Sequence, residues 1–367
     1  MEEVGFEDWQ ILLSLFPSNW QEAATQSGAL ERLRGFESAE ALIRTILLHV
    51  ARGYSLRETV AQARVANLAS VSDVALMKRL RKAEPWLRSL CLALLKESGV
   101  VLTGKEGGQS VRVVDGTIVK EPGKTGSQWR LLYSLQLPTL ECDFFDLTSA
   151  RGAGTGEVLG RVPIRPGDLL LADAAYCSAA GIHHVVHGGG DVLVRVNPLT
   201  LLIYGATGKR RRLLPLLRKL TKPGQVGDWP VFVPGREGLI EGRVCALRKS
   251  EAEIRKAERR QRLKARKKQT KVSPETYEYA KYIIVFTTWR KATASQILAW
   301  YRVRWQIELA FRRLKSLVQL GHLPKYDDAS SRAWLYGKLF VALLAQKLMK
   351  IGRDISPWGY ELPWVAK

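Results

Sequence analysis

A chain of 367 residues exceeds the usual size of one compact domain, so two or three structural units are expected. Its 46% hydrophobic and 25% charged residues are those of a soluble globular protein, and its apolar runs are too short to cross a bilayer. The 57 Lys and Arg against 35 Asp and Glu leave a net charge of +22, a field that draws polyanions and puts nucleic acid ahead of a ribosome-associated or merely basic role.

Charge alone does not separate a nuclease from a passive binder. The amino terminus carries Glu2, Glu3, Glu7 and Asp8 where a secretory or organellar signal carries bases, so a cytoplasmic protein is expected. Cys91, Cys142, Cys177 and Cys245 lie far apart without a CxxC pair, which argues against a disulfide framework or a zinc knuckle.

Residues 1–108 read as a helical unit. An apolar stripe through Ala41, Leu42, Thr45, Ile46, Leu48 and His49 ends at Gly53, a helix stop, and Ser55-Leu56-Arg57-Glu58 has the capping-box form of a fresh helix start. A second helix is expected to open near Ser72 and Asp73 and to carry Lys78, Arg79, Arg81 and Lys82 before Pro85. The pair has a helix-turn-helix outline with Lys78 and Arg79 as DNA contacts, or is two ordinary packed helices with a solvated basic face. Thr103 to Gln109 reads as a linker.

Strand periodicity follows. Val111, Val113 and Val114 end in Asp115-Gly116, and Trp129, Leu131, Tyr133, Leu135 and Leu137 alternate with mostly polar neighbours. Leu169-Leu170-Leu171-Ala172 ends on Asp173, after which Ser178 caps a helix that stops at Gly188-Gly189-Gly190. Residues 188–295 hold short strand candidates (192–196, 231–233, 243–247 and 282–287) and read as a β-rich insertion. Within it, Lys209 to Arg212 and Arg255 to Lys271 are basic clusters that grip phosphate or, in the second case, form a mobile solvated arm.

The segment Trp300 to Gly321 reads as one helix in which Tyr301, Arg304, Glu308 and Lys315 fall within an arc of roughly 60° at about 100° per residue. Val303, Ile307, Ala310, Phe311, Leu314, Leu317 and Val318 occupy the adjacent arc, so the polar stripe is expected to line a cleft, or else to be an exposed salt-bridged face. Asp115 and Asp173 each follow an apolar strand candidate and are expected to end it, a position from which side chains of neighbouring strands converge. Two strand-end aspartates and a helical glutamate are hard oxygen ligands on rigid elements, as a pair of divalent ions about 4 Å apart requires. Mg²⁺ is the expected ion, with Mn²⁺ as a substitute. His183, His184 and His187 lack partners at zinc-ligand spacing, and no Lys-Ser or Lys-Thr follows Gly152, Gly154 and Gly156, so neither zinc nor a nucleotide cofactor is expected.

Tyr301-x2-Arg304-x3-Glu308-x6-Lys315 resembles the signature of the insertion-sequence-four family of bacterial DDE transposases. Val-Val-Asp115-Gly-Thr and Ala-Asp173-Ala-Ala-Tyr176 resemble its two aspartate motifs. The resemblance covers most of the chain and implies an α/β fold: an RNase H-like core, a mixed sheet with flanking helices, interrupted by a β-rich insertion and preceded by an all-α domain. The boundaries expected on that basis are 1–108 helical DNA-binding, 109–187 first part of the core, 188–295 insertion with basic arm, 296–350 second part of the core and 351–367 a short tail, of which Pro357 to Lys367 does not read as a helix.

The resemblance makes Asp115, Asp173 and Glu308 catalytic metal ligands and places Tyr301, Arg304, Lys315 and Arg312 against DNA. It implies cut-and-paste transposition through a hairpin intermediate, on double-stranded terminal inverted repeats and target DNA, by a homodimer without membrane partners. Relatives place a Trp before the strand preceding the signature helix to stack a flipped base; Tyr282 stands nearby here, and Trp289 is a second candidate. The rival classes are a transposase-derived DNA-binding protein that no longer cuts and a structure-selective RNase H-like nuclease.

Overall fold

The structure, a computed structural model, describes residues 6–31, 35–97, 110–120, 128–137, 139–150, 156, 158–198, 200–321, 323–324 and 327–355. The linker at Thr103 to Gln109, Gly152 and Gly154 and the tail from Pro357 to Lys367 lie outside the described residues.

Six helices come first: α1 (Phe6–Ser14), α2 (Trp20–Gln26), α3 (Ala39–Arg52), α4 (Leu56–Val65), α5 (Asp73–Lys82) and α6 (Glu84–Glu97). The ends of α3, α4 and α5 have local causes. Ser38 Oγ accepts the Ala41 N–H at 3.1 Å to open α3, and Gly53 closes it in the left-handed region at φ 73°. Ser55 and Glu58 form the reciprocal capping box of α4, and Ser72 caps α5.

The strands are β1 (Ser110–Lys120), β2 (Gln128–Leu137), β3 (Glu141–Ser149), β4 (Asp168–Ala172), β5 (Asp191–Arg195), β6 (Ile203–Tyr204), β7 (Arg210–Arg211), β8 (Val226–Pro234), β9 (Leu239–Arg248) and β10 (Tyr282–Thr287). They form one ten-stranded sheet in the order β3-β2-β1-β4-β5-β10-β9-β8-β6-β7. β1, β4 and β5 are mutually parallel, and the other neighbours are antiparallel. All five residues of β4 are buried, as expected of a central parallel strand covered on both faces.

The stretch 188–295 is therefore not a separate β unit. It begins with β5, a central strand, and β6 to β9 prolong the same sheet beyond β10. It also holds three helices, α8 (Leu214–Leu217), α9 (Glu251–Lys268) and α10 (Pro274–Ala280). The join is tight: a Cβ on Gly242 of β9 would lie 2.5 Å from the Phe286 ring of β10, so only glycine lets the two backbones approach there.

Alternation divides the core between the two faces. Val111, Val113, Leu131, Tyr133, Leu169 and Leu171 bury on the side of α6, α11 (Ala294–Val303), α12 (Trp305–Ser316) and α13 (Asp328–Ile355). Val114, Leu132, Leu170 and Ala172 bury on the other side with α7 (Ala179–His187) and the insertion's Leu213 and Leu217. The first core runs without interruption from Leu15 to Leu344, so the amino-terminal helices and α13 share one apolar interior with the sheet. Gly337 of α13 crosses α3 so closely that an added Cβ would sit 3.0 Å from both Val50 methyls.

Arg112 of β1 is fully buried on the second face, paired with Asp143 at 2.5 Å and Asp168 at 2.8 Å. Among the described residues no helix is long and apolar enough to cross a membrane.

Candidate active site

The parallel β1–β4 ladder ends on the pair Val114 and Ala172, so the next positions on the two strands are Asp115 and Asp173. Val113 and Leu171, two positions earlier, face the helical side of the sheet, and the period of two sends both carboxylates the same way. Asp173 ends its strand as expected, with its carbonyl accepting the Tyr176 N–H at 3.0 Å in the turn that follows. Asp115 does not end a strand. β1 continues to Lys120 because its other edge is still paired with β2, with Asp115 opposite Tyr133.

The expected single helix over 300–321 divides. α11 opens on a capping box between Thr293 and Gln296 and stops at Val303, α12 runs from Trp305 to Ser316, and Arg304 is the helical residue between them at φ −50° and ψ −28°. Ile307, Phe311 and Leu314 are buried as read, but Leu317 lies past the end of α12 and is 78% exposed.

The break leaves Tyr301 and Arg304 turned toward the aspartates. Tyr301 Oη donates to Asp173 Oδ1 at 3.3 Å, and the Arg304 guanidinium donates to Glu308 Oε1 at 2.6 Å and to Asp115 Oδ2 at 3.5 Å. The Gly116 N–H donates to Asp115 Oδ1 at 2.8 Å and fixes that carboxylate. Burial, with the Asp173 charge beside it, pushes the Tyr301 phenol above its ordinary range, so it stays protonated and serves as a donor.

Asp115, Asp173 and Glu308 thus surround one cation and one phenol. The donor set is all hard oxygen, which suits a divalent ion, and Arg304 supplies the positive charge these acids require. The guanidinium holds Glu308 to one side, and among the described residues no three carboxylate, imidazole or thiolate groups stand close enough to ligate one ion as they are. Lys315, about 10 Å further along α12 at 1.5 Å per residue, is exposed, as is Arg312.

A cavity of about 510 Å³ opens beside Tyr301 and Arg304, walled by Arg195, Lys249, Arg260 and Arg302. Trp305 also lines it and is 49% exposed. Arg260 falls in the basic cluster singled out from sequence, but its grouping with Arg195 of β5 and Lys249 of the turn after β9 could not be read there, since only the sheet order brings the three together.

Other candidates lie elsewhere. Tyr282 is 4% exposed in the core on the opposite face and cannot offer its ring to a base, because the first residue of β10 points away from the cleft. Trp289 packs edge-on against Trp300 at 6.4 Å. On α5, Arg79 donates to the Ala29 carbonyl at 3.2 Å, Arg81 pairs with Asp327 at 3.0 Å and Lys82 with Glu31 at 2.8 Å. Those bases brace the helical unit, while Lys78 is exposed. His183 and His187 stack at 5.6 Å, and His184 bonds the Val162 carbonyl. All four cysteines are buried and unbridged.

An acidic site at the end of a parallel ladder, bordered by a strongly cationic cleft, defines an enzyme that works on a phosphate-bearing polymer. Residues 106–344 match the family model described as the transposase DDE domain. The chain is 32% identical over 362 residues to the transposase for insertion sequence element IS421 of Escherichia coli, covering 96% of each chain. It is 24% identical to the transposase for IS231C of Bacillus thuringiensis subsp. berliner, over 95% of this chain and 80% of that one. The chain belongs to the DDE transposase family: it is a DNA transposase, a metal-dependent enzyme that cuts DNA.

Proposed function

We propose that Asp115, Asp173 and Glu308 hold the divalent ions of an insertion-sequence-four type transposase that acts by cut and paste on the terminal inverted repeats of its element. The observation that carries this is the convergence of all three carboxylates on Arg304 and Tyr301 at the mouth of the cationic cleft. The sheet order β3-β2-β1-β4-β5, with β1, β4 and β5 parallel, supports an RNase H-like core.

When bound, Mg²⁺ or Mn²⁺ supplies Lewis acidity at the scissile phosphate. The chain's own residues prepare that site. Tyr301 orients Asp173, Gly116 fixes Asp115, and Arg304 balances Asp115 and Glu308 while no phosphate is present. A phosphate oxygen entering the cleft competes for the Arg304 fork, which is shaped for bidentate oxyanions, and so frees both carboxylates. Trp305, with its exposed ring at the cleft, takes the base-stacking role that the buried Tyr282 cannot. Lys315 and Arg312 contact DNA further along α12, and two protomers act on two ends.

The test incubates purified protein and Glu308→Gln with labelled element ends in Mg²⁺ or Mn²⁺ and resolves the products on denaturing gels. Cleaved, hairpin or joined strands from wild type alone are expected. Binding without cleavage on authentic ends would support a transposase-derived DNA-binding protein instead, and nicking without joined product would support a structure-selective nuclease.

A further inference from the structure

The helix α9 carries no apolar stripe long enough to bury, yet it is anchored at both ends. Ser250 and Glu253 form a capping box at its start, and Gln269 closes it in the left-handed region at φ 52°. Among the α9 residues whose side chains are described, Ile254, Ala257, Glu258, Gln261 and Ala265 are the buried or half-buried ones, at the spacing of one helical face, and this seat rests against α10.

The remaining surface has two cationic edges. Lys256, Arg260, Lys264 and Lys267 recur at i, i+4, i+8 and i+11, within an arc of about 80° at 100° per residue. Arg255, Arg259, Arg262 and Arg266 lie on the other edge, roughly 125° away around the axis. All eight are exposed. The two edges differ in what they adjoin: Arg260, on the first, lines the active-site cavity beside Lys249 and Arg195.

We propose that Lys256, Arg260, Lys264 and Lys267 form a phosphate-tracking stripe that carries the cleft wall outward and holds the backbone of duplex DNA adjoining the scissile phosphate, without reading its sequence. This rests on the cleft being the DNA site. From Lys256 to Lys267 the stripe rises about 16 Å, close to five base pairs of B-DNA at 3.4 Å each. No member of the stripe is in an ion pair among the described residues, whereas Arg262 on the far edge is paired with Glu258 at 3.9 Å. Cations crowd where stripe meets cleft: burial pulls the Lys249 amine below its ordinary value, and the nearby Arg195 and Arg260 add to the effect. Glu253 offsets this charge only in part, since the net displacement of the Lys249 amine is still downward, and a polyanion in the cleft relieves the rest.

Two quadruple variants test the stripe, K256Q/R260Q/K264Q/K267Q and R255Q/R259Q/R262Q/R266Q, which remove the same net charge from the same helix. Affinity for a labelled 30-base-pair duplex of arbitrary sequence, without divalent metal, is measured against salt. The first variant should lose about 0.9 from the log–log slope for each phosphate contact removed, between two and four in all, and the second less than one. Equal losses, or none in either, overturn the proposal. Folding is checked by far-ultraviolet circular dichroism, and a second measurement does not need the charge removed. Because the native cysteines are buried, a photo-crosslinker on Lys264→Cys or Arg259→Cys labels only the introduced thiol. Crosslinking to DNA from position 264 and not from 259 is expected, and the reverse or an equal yield overturns it. Loss of wild-type cleavage in Mg²⁺ with these binding results intact would instead count against the catalytic assignment.

Discussion

Arg304 and Arg112 each face a pair of carboxylates, and their surroundings set opposite consequences for removing them. Arg304 is 14% exposed beside an open cleft, and its contacts, 2.6 Å to Glu308 and 3.5 Å to Asp115, are open to exchange with an entering anion. Arg304→Gln should therefore leave the fold intact and lower cleavage by about 10² or more, the usual scale for removing a preorganised charge donor. It should also bind Mn²⁺ more tightly than wild type when no DNA is present, by titration calorimetry. Unchanged or weaker Mn²⁺ binding would remove the competition between guanidinium and metal from the account. Arg112 is fully enclosed with Asp143 and Asp168, so Arg112→Leu leaves these two buried acids, among the described residues, with only Arg165, 4.0 Å from Asp143 and bonded to Asp168 through its backbone N–H, and should cost about 3–5 kcal/mol in urea unfolding. The Asp and Glu motifs were legible in the sequence because their spacing is local. Arg112 was not, since a cation in an alternating strand reads as solvent-facing until its distant partners are brought over it.

At the scale of elements, α13 contains a conflict that the catalytic role does not require. Lys338 is 1% exposed, its amine has no hydrogen-bond partner among the described residues, and it sits over the Trp334 ring, 4.8 Å from the centroid. Burial pulls its pKa down to about 8 from an ordinary value of 10.5. The folded state then binds fewer protons than the unfolded state between those two values, so stability should rise with pH across that window. Lys338→Met should raise stability by about 1–3 kcal/mol at neutral pH and flatten this dependence, as followed by thermal melts across pH. A melting temperature unchanged from pH 8 to 10 in wild type would show that the amine reaches water. The signature segment also changed at this scale: one helix in periodicity became two, joined at Arg304, with Tyr301 reaching Asp173 and Arg304 reaching Asp115.

For the whole molecule, the continuous core from Leu15 to Leu344 matters more than the order of units along the chain. The helical unit is not an independent module tethered to a catalytic one. Trp86 of α6 is fully buried and donates to the Trp20 carbonyl at 2.9 Å, while α6 and α13 pack along one another over the sheet. A fragment of residues 110–355 would expose that face and should be recovered aggregated or without cooperative unfolding. The full chain should unfold in one transition, coincident by tryptophan fluorescence and far-ultraviolet circular dichroism. A soluble, cooperatively folding fragment would show that the shared core is dispensable. The concentration of positive charge at the cleft is likewise a property of the assembled surface, since its cations come from β5, from the turn after β9, from α9 and from α11 and the Arg304 junction.

What the sequence determined by itself were features encoded within a few turns or a strand. They include helix caps at Ser55 and Ser72, the strand leading into Asp173, and the spacing that relates Tyr301, Arg304 and Glu308. Such signals rest on local backbone geometry and survive whatever packs around them. Tertiary structure decided which carboxylates share a cation, why Asp115 lies within a strand rather than at its end, and why Tyr282 is withdrawn while Trp305 faces the cleft. It also selected one edge of α9 over the other. These outcomes depend on strand order and on which face a distant element covers, and period-two or period-3.6 patterns carry no information about either.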